Sequence, residues 1–371
     1  MATLYKYSIL INFANRNVNL SGQPRMNVPY SKTHFDTFCF NASSIRIYAE
    51  RYIRIQDDEV SLYHKHHSIN FQIQKAIEYY YVTCPVYTHV QAIYIRIKTD
   101  SKKAKFSSYT AANRFNEPLS KRLKGNNEWF INPTDIQPML NEDTKAYAYR
   151  IILSYCLKSA TENTDFAKFS NLWRAFNATY RYGSHSSTDK NGLNHIENII
   201  IQNYQHLTKC GQYIATLRGT FPSLRIYQMI HNHIQRDRER FNLRTHQHGQ
   251  VTYSLLTQYR DERIINSFSM NLSFNSGALC NYIQQLTPNH LVDIQNYHSH
   301  HLSPYPVIRD DAELLSFFIT KYAYFLRNTL FHGAVGEPSF KLGETQEQKE
   351  LGMAKLWLEN LIKDMLNNHL I

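Results

Sequence analysis

Hydrophobic and polar residues alternate along several short segments in the first third of the chain. Tyr5–Ile9 and Ala92–Lys98 both show this two-residue period, which is typical of strands with one buried face. Arg51–Gln56 and Glu59–His64 flank the acidic pair Asp57-Asp58, a pattern that predicts a hairpin. The N-terminal part of the chain is therefore predicted to be rich in β-structure.

A helical period replaces the alternation after residues 126–143, a segment with two prolines that is predicted to be a linker. Ala146–Ala160 places its apolar residues on one side of a helix. Thr164 and Asp165 are suited to cap a second helix, whose apolar positions from Phe166 to Phe176 follow the i, i+3, i+4, i+7 spacing. The second part of the chain is therefore predicted to be helical.

More helices are predicted further along the chain, at about residues 189–208, 223–240, 252–270 and 276–287. A long apolar helix is expected to begin at Asp310-Asp311 and to end at His332, before Gly333, and a last helix to begin near Thr345. These elements predict an α+β protein, with a β-rich N-terminal domain over residues 1–145 and an all-α bundle over 146–371.

Composition and charge restrict the possible classes of protein. The chain has 371 residues, 41 Lys+Arg and 30 Asp+Glu, a formal net charge of +11, and no apolar run near 18 residues. We therefore expect no membrane segment.

Met1–Ile11 lacks the continuous apolar stretch of a signal peptide, and the five cysteines form no CxxC pair. These features predict reduced thiols and a cytoplasmic location.

The basic residues are concentrated in the N-terminal part, where residues 1–145 carry 19 Lys+Arg and 12 Asp+Glu. Together with 27 Tyr and 20 Phe, this charge favours a surface that binds a polyanion and stacks on bases. An AT-rich genome would produce the same composition, so both interpretations stay open. Residues 101–124 are predicted to form a solvated basic loop that binds RNA, through Lys102, Lys103, Lys105, Arg114, Lys121, Arg122 and Lys124.

Clustered histidines raise the question of a metal site. No HExxH motif or Cys pair accompanies them, and histidines two residues apart point away from each other on a helix. No phosphate-binding loop, dinucleotide-binding glycine motif or GxSxG nucleophile motif is present either. We therefore expect neither a metal nor a cofactor. The histidines considered are His64, His66, His67, His231, His233, His246, His248, His298, His300 and His301.

Candidate catalytic residues occur near the end of the long C-terminal helix. Arg327 and Asn328 interrupt an otherwise apolar and aromatic stretch, where an unpaired buried charge would be costly. Asn328 and His332 are four residues apart and share one helical face, whereas Arg327 lies about 140° from His332 on an ideal helix. A polar cluster on such a helix predicts a cleft or a partner surface.

The segment Arg327–His332 resembles the R-N-x-x-x-H signature of HEPN proteins, the higher-eukaryote and prokaryote nucleotide-binding superfamily. Leu172–Tyr180 is similar to the W-x-x-F-N-A-x-Y helix of the abortive-infection and anti-phage defence branch. The two segments are further apart than in compact HEPN domains. The resemblance therefore covers residues 146–371, with an insertion around 209–300, and does not extend to residues 1–145.

The resemblance implies a helical bundle that forms a homodimer and acts as a metal-independent ribonuclease in bacterial defence or as a toxin. His332 would take the proton of the ribose 2′-OH or protonate the leaving 5′ oxygen, and Arg327 would stabilise charge on the phosphate. Asn328 would orient the imidazole or the phosphate. Asn177 and Tyr180 would line or support the cleft. The implied partners are RNA, a second copy of the chain, and an antitoxin or activating ligand whose identity is not indicated. The alternative is a non-catalytic nucleic-acid or nucleotide-binding protein.

Overall fold

The computed structural model has an antiparallel sheet near the N-terminus and helices after it, which confirms the α+β prediction. It describes residues 3–14, 25–54, 68–87, 89–99, 102–110, 125–217, 224–242, 250–274, 276–286, 288–302, 308–331 and 346–371. The predicted hairpin after Arg51 falls mainly on residues 55–64, which lie outside the described ranges.

Six strands form the sheet, in the order β2-β3-β4-β1-β5-β6. The strands are β1 (Tyr5–Phe13), β2 (Arg25–Pro29), β3 (Phe35–Asn41), β4 (Ser44–Arg51), β5 (Val90–Thr99) and β6 (Lys102–Thr110). β1 is the centre of the sheet and pairs antiparallel with both β4 and β5. The strands predicted at Tyr5–Ile9 and Ala92–Lys98 are confirmed within β1 and β5.

The alternation along these strands separates a buried face of the sheet from a solvent-facing one. Ile9 on β1 pairs with Ile47 on β4 and Ile95 on β5, and all three side chains are buried. Helix α1 (Ser68–Thr83) contributes buried residues of its own, and the ring of its Tyr80 stacks 3.6 Å from the ring of Phe13. Helix α1 was not predicted; it lies in the part of the chain that was expected to be rich in β-structure.

A buried ion pair ties β4 to β3. Arg51 donates two hydrogen bonds to the carboxylate of Asp36, at 2.8 and 2.6 Å, and its guanidinium lies 3.4 Å from the centre of the Tyr30 ring. Arg51 also donates to Ser68 Oγ at the start of α1, at 2.7 Å. The charge of Arg51 is therefore compensated by a carboxylate, a hydroxyl and an aromatic face.

Residues 126–143 are packed against the N-terminal core, so their prediction as a linker is wrong. Trp129, Ile131 and Met139 are almost completely buried. The prolines do not mark a flexible connection here: Pro133 begins the short helix α2 (Pro133–Ile136), and Pro138 lies in the 3-10 turn that follows.

Helices account for most of the remaining described residues. They are α3 (Thr144–Ala160), α4 (Asp165–Ser184), α5 (Asp189–Asn203), α6 (Thr208–Thr216), α7 (Ile226–Asn242), α8 (Gln250–Thr257), α9 (Glu262–Phe274), α10 (Ser276–Leu286), α11 (Pro288–His301), α12 (Asp311–Ser316), α13 (Ala323–Phe331) and α14 (Gln346–Asn367). Thr164 caps α4 by accepting from the Ala167 amide, and Asp310 caps α12 by accepting from two amides, as predicted.

One predicted helix is divided in the structure. The segment 252–270 contains most of α8 and most of α9, with a turn between them. Asp261, in this turn, accepts from the Arg263 amide at 2.9 Å and forms an ion pair with the Arg263 guanidinium at 2.7 Å. A side chain that bonds to amides at a helix start competes with continuation of the previous helix. The division is therefore explained by capping at Asp261.

The pattern of contacts divides the chain into two compact units, residues 1–189 with 365–371 and residues 190–364. This division differs from the predicted boundary at residues 145–146, because α3 and α4 are grouped with the sheet. Among the described residues, no helix has both the length and the apolar character needed to cross a bilayer.

Candidate functional site

The second unit contains a cavity of about 1180 Å³ between four helical segments. Its described lining residues come from α5, α7, α8 with Gln258, and the continuous helical stretch that leads from α12 to α13. Ligand pockets in proteins usually measure roughly 300–1,000 Å³. The cavity is therefore large enough for a ligand bigger than a single small metabolite.

One wall of the cavity is a stripe along the helical stretch before and within α13. Lys321, Tyr324, Phe325 and Asn328 all line it, at the spacing that places residues on one helical face. Lys321 belongs to a π-helical segment, Phe317–Tyr322, that joins α12 to α13. Segments of this kind are frequent at functional sites, because the extra residue re-aims the side chains around it.

The π-helical segment is fixed in position from the side of α7. Tyr322, its last residue, accepts a hydrogen bond from the Arg225 amide at 2.8 Å, just before α7 begins. The Arg225 side chain also forms an ion pair with buried Glu350 on α14, at 2.7 Å. The wall that carries Asn328 is therefore connected to two other helices by buried polar contacts.

The facing wall comes from α7 and contributes Asn232, His233 and Arg236. These residues lie on adjacent turns of α7, with His233 half-buried and Arg236 exposed. Lys190 and Asn194 on α5 complete the polar lining together with residues of α8. An anionic group inside the cavity would therefore meet cations from more than one direction.

The described charged side chains that line the cavity are all positive. Its described lining contains three cations, Lys190, Arg236 and Lys321, and none of these lining residues is acidic. Lys321 has a carboxylate neighbour outside the lining, Glu197, at 3.6 Å. The lining also contains the amide side chains of Asn194, Asn232, Gln250, Gln258 and Asn328. Cations with amides suit a phosphate-containing ligand whose other part has hydrogen-bonding edges, since guanidinium and ammonium groups bind phosphate well.

The hydrogen bond of His233 to the backbone determines its tautomer. Its Nδ1 lies 2.9 Å from the Met229 carbonyl oxygen, so Nδ1 carries the proton and donates, and Nε2 is an acceptor. Burial lowers the pKa of His233 below 6.5, and the hydrogen bond to Met229 only partly opposes this effect. Burial therefore favours the neutral form of His233, in which Nε2 is a hydrogen-bond acceptor.

Two residues of the R-N-x-x-x-H segment lie on α13. Asn328 is buried and lines the cavity, and half-buried Arg327 donates from Nη1 to Asn328 Oδ1 at 2.8 Å. This hydrogen bond orients the Asn328 amide so that its NH₂ group remains the donor. His332 follows Phe331, the last residue of α13, and lies outside the described residues.

The two residues predicted to line or support the cleft belong to the first unit. Asn177 is half-buried on α4. Tyr180 is fully buried, packs edge-on against Phe176, and donates from its hydroxyl to Asp189 Oδ1 at 2.7 Å. Tyr180 therefore anchors the end of α4 to the start of α5, which is a supporting role.

The predicted basic loop over residues 101–124 is partly wrong. Lys102, Lys103 and Lys105 lie on β6, which pairs with β5 and forms an edge of the sheet. The local sequence does not alternate clearly between apolar and polar residues, so pairing with β5 decides its conformation. Arg114, Lys121, Arg122 and Lys124 lie outside the described ranges.

Other candidates from the sequence have structural roles where they are described. His231 lies against the rings of Tyr227 and Tyr282. His246 lies outside the described ranges. Buried His298 is hydrogen-bonded through both ring nitrogens, to Ser269 and the Leu256 carbonyl. The described residues contain no group of three or more potential metal ligands.

Comparisons of the chain with protein-family models, curated proteins and solved structures find no match.

The sequence analysis missed His233 and Arg236 as cavity residues. His233 was considered only as half of a metal pair with His231. A signal was present, since His233 and Arg236 are three residues apart and share a helical face. That spacing does not reveal which other helix the face meets.

Proposed function

We propose that the protein is a metal-independent RNA endonuclease of the HEPN type, with Arg327, Asn328 and His332 as its catalytic residues. The proposal combines the R-N-x-x-x-H resemblance with the environment of Asn328. The alternative, a binding protein that does not cut, differs from it in one measurable property, which is the cleavage of RNA.

One observation carries the proposal: Asn328 lines a cavity whose described lining contains three cations and no carboxylate. A site that stabilises a negatively charged phosphate transition state requires positive groups and the exclusion of competing acidic side chains.

The proposed reaction is an internal transfer at a phosphodiester. His332 accepts the proton of the ribose 2′-OH, and the 2′ oxygen attacks the adjacent phosphorus. The bond from phosphorus to the 5′ oxygen breaks, and that oxygen takes the proton held by the His332 imidazolium to become a 5′-OH end. The other end is a 2′,3′-cyclic phosphate, and Arg327 stabilises the charge on the phosphoryl oxygens during the transfer.

We further propose that two copies of the chain bring their R-N-x-x-x-H segments together, and that the nuclease serves in bacterial defence or as a toxin. A closed two-fold arrangement would place the same segments opposite each other. Sedimentation of the active protein at micromolar concentration should show a dimer. A fully active monomer would contradict the shared-site proposal.

The decisive experiment is incubation of the purified protein with total RNA in the presence of EDTA. The proposal expects cutting that persists under chelation, fragments with 2′,3′-cyclic phosphate ends, and no cutting of DNA of the same sequence. Fragments with 3′-OH ends, or complete inhibition by EDTA, would contradict the mechanism.

The amide side chains of the cavity favour the alternative function to a similar degree. Five amides beside three cations suit the binding of a nucleotide base and phosphate without chemistry. Retention of labelled RNA on a filter without any cutting, under conditions where the protein is folded, would select the binding protein.

A further inference from the structure

The solvent-facing side of the N-terminal sheet presents cations and aromatic rings in an ordered array. Residues that are directly paired across strands lie on the same face of a sheet, and alternate residues of one strand share that face. On β4 these are Arg46 and Tyr48, both exposed, and on β5 they are half-buried Tyr94 and exposed Arg96. We call these four residues the sheet platform.

The four residues form two parallel rows that cross the central strand. In one row, Arg46 pairs with Leu10, and Leu10 pairs with Tyr94. In the next row, Tyr48 pairs with Ser8, and Ser8 pairs with Arg96. Each row thus contains one tyrosine and one arginine, about 10 Å apart at the usual spacing of strands.

More positive charge surrounds these rows on the same face. Lys6 on β1 pairs with Lys98 on β5, and Arg25 on β2 pairs with Cys39, which in turn pairs with Arg46. Among the described residues of β1–β5, Glu50 is the one acidic side chain on this face, and it is opposite Lys6. This face of the sheet, with the platform and the residues around it, is therefore strongly cationic.

The opposite face shows why this array is not required for folding. The alternate residues of the same strands, among them Ile9, Ile47 and Ile95, are fully buried and form the core with α1. The platform residues are not needed for that core, and five cations close together on one face repel each other. An arrangement of this kind is explained by a polyanionic partner.

We propose that the sheet platform binds single-stranded nucleic acid, with Tyr48 and Tyr94 stacking on bases and Arg46 and Arg96 contacting phosphates. Aromatic side chains on the open face of an antiparallel sheet stack on two or three bases in other single-strand binders, and arginines supply contacts to the backbone. A double helix fits less well, because its bases are already stacked on each other. The sheet, rather than a loop, is then the docking element of the N-terminal unit.

This inference is independent of the proposed nuclease, and its test separates the two. The full-length protein is titrated against a short, fluorescently labelled single-stranded DNA, and binding is followed by anisotropy. DNA lacks the 2′-OH that the proposed cleavage uses, so binding is measured without cutting.

Loss of a stacking ring is the first measurement. Tyr48→Ala and Tyr94→Ala should each weaken binding by about 5- to 150-fold, the range for the loss of one aromatic–base stack. Tyr48→Phe should retain binding, because the ring remains. Tyr147→Ala is the matched control, since Tyr147 is an exposed tyrosine on α3 of the same unit.

Loss of a cation is the second measurement. Arg46→Ser and Arg96→Ser should each reduce the slope of log K against log salt by about 0.7, the value for one phosphate contact on a single strand. Lys158→Ser, at an exposed position of α3, is the control and should leave the slope unchanged. Both measurements are made between about 50 and 200 mM salt.

Either of two results would overturn the proposal. A wild-type protein that does not bind the single-stranded probe at low salt would overturn the assignment of single-stranded nucleic acid as the partner of the platform. Binding that is equally strong in the wild type, Tyr48→Ala and Tyr94→Ala, with unchanged thermal unfolding, places the nucleic-acid contact elsewhere on the molecule.

Discussion

The sheet platform and the helical cavity are both cationic, yet they differ in shape and in the groups beside their charges. The platform is an open face, where Arg46 and Arg96 alternate with exposed Tyr48 and half-buried Tyr94. The cavity is concave, and its cations lie beside amides, a neutral histidine and buried Asn328. An open face suits sequence-tolerant binding, whereas a concave site is able to position one phosphate for chemistry.

The spacing of residues on one face of a strand or a helix explains the difference in shape between the platform and the cavity. A strand places every second residue on one face, so a few strands side by side produce a flat array. A helix places residues on one face at intervals of three and four, so several helices are needed to surround a space. The comparison predicts that changes in the cavity affect cleavage, and that changes in the platform affect binding.

The largest effect is expected from the R-N-x-x-x-H segment. His332→Ala should abolish the cutting of RNA, and Arg327→Ala should cost about 3–4 kcal/mol of transition-state stabilisation, or roughly 10²- to 10³-fold in kcat. Cleavage of a labelled RNA gives the rates. His300→Ala, at an exposed position on α11, is the matched control.

Folding must be followed in the same variants. Circular dichroism and thermal unfolding should be nearly unchanged for His332→Ala. If that variant unfolds, His332 is a structural residue and the assignment of the catalytic site is wrong.

A large loss of stability is expected when the buried ion pair of the N-terminal sheet is broken. Arg51→Ala leaves the Asp36 carboxylate buried without its partner, which should lower the free energy of unfolding by about 3–5 kcal/mol. Urea denaturation measures this loss. Arg46→Ala is the control on the same strand, since Arg46 is exposed and its removal should change stability little. Similar losses in both variants would contradict the structural role of the Arg51–Asp36 pair.

A smaller effect is expected from the cations of the cavity. Arg236→Ser should reduce kcat/KM for RNA by about 10- to 150-fold, since a hydrogen bond to a charged group contributes about 1.5–3 kcal/mol. Binding of single-stranded DNA to the platform should not change. If Arg236→Ser alters neither cleavage nor RNA affinity, the cavity is not the site of phosphate binding.

The smallest effect concerns acid stability. Burial lowers the pKa of His298 below 6.5, so the unfolded chain binds the proton first when the pH falls. The contribution of neutral His298 to stability is therefore complete above about pH 6.5 and is lost as the pH falls through its folded-state pKa. The difference between the Tm of the wild type and the Tm of His298→Gln should be smaller at acidic pH than at pH 7.5. A constant difference would show that His298 does not titrate with folding.

The sequence predicted those features whose signals are local. Thr164 and Asp310 were identified as helix starts because a capping side chain and the apolar spacing after it lie within a few residues of each other. Residues 126–143 were wrongly predicted to be a linker because they contain two prolines. The burial of Trp129 depends on contacts with distant residues, which the local sequence does not show. β6 was misjudged for the same reason, since its conformation depends on pairing with β5.

The residues of the candidate site also differ in whether a local signal reveals them. Arg327, Asn328 and His332 were identified from the sequence because they are close together and interrupt an apolar helix. His233 and Arg236 were missed as cavity residues because they are about 90 positions away in the chain, and no local pattern states which helices will meet.

By itself, the sequence determined the α+β class, the strands β1 and β5, the starts of the main helices and the R-N-x-x-x-H segment, because periodicity, capping and motif spacing are properties of neighbouring residues. Only the tertiary structure decided that β1 lies between β4 and β5, so that Tyr48, Arg96, Arg46 and Tyr94 fall into two rows. It also decided that Lys190, Arg236, Lys321 and Asn328 surround one cavity. The physical reason is that these juxtapositions arise from burial of apolar faces between elements far apart in the chain, and the polar residues on those elements are brought together as a consequence.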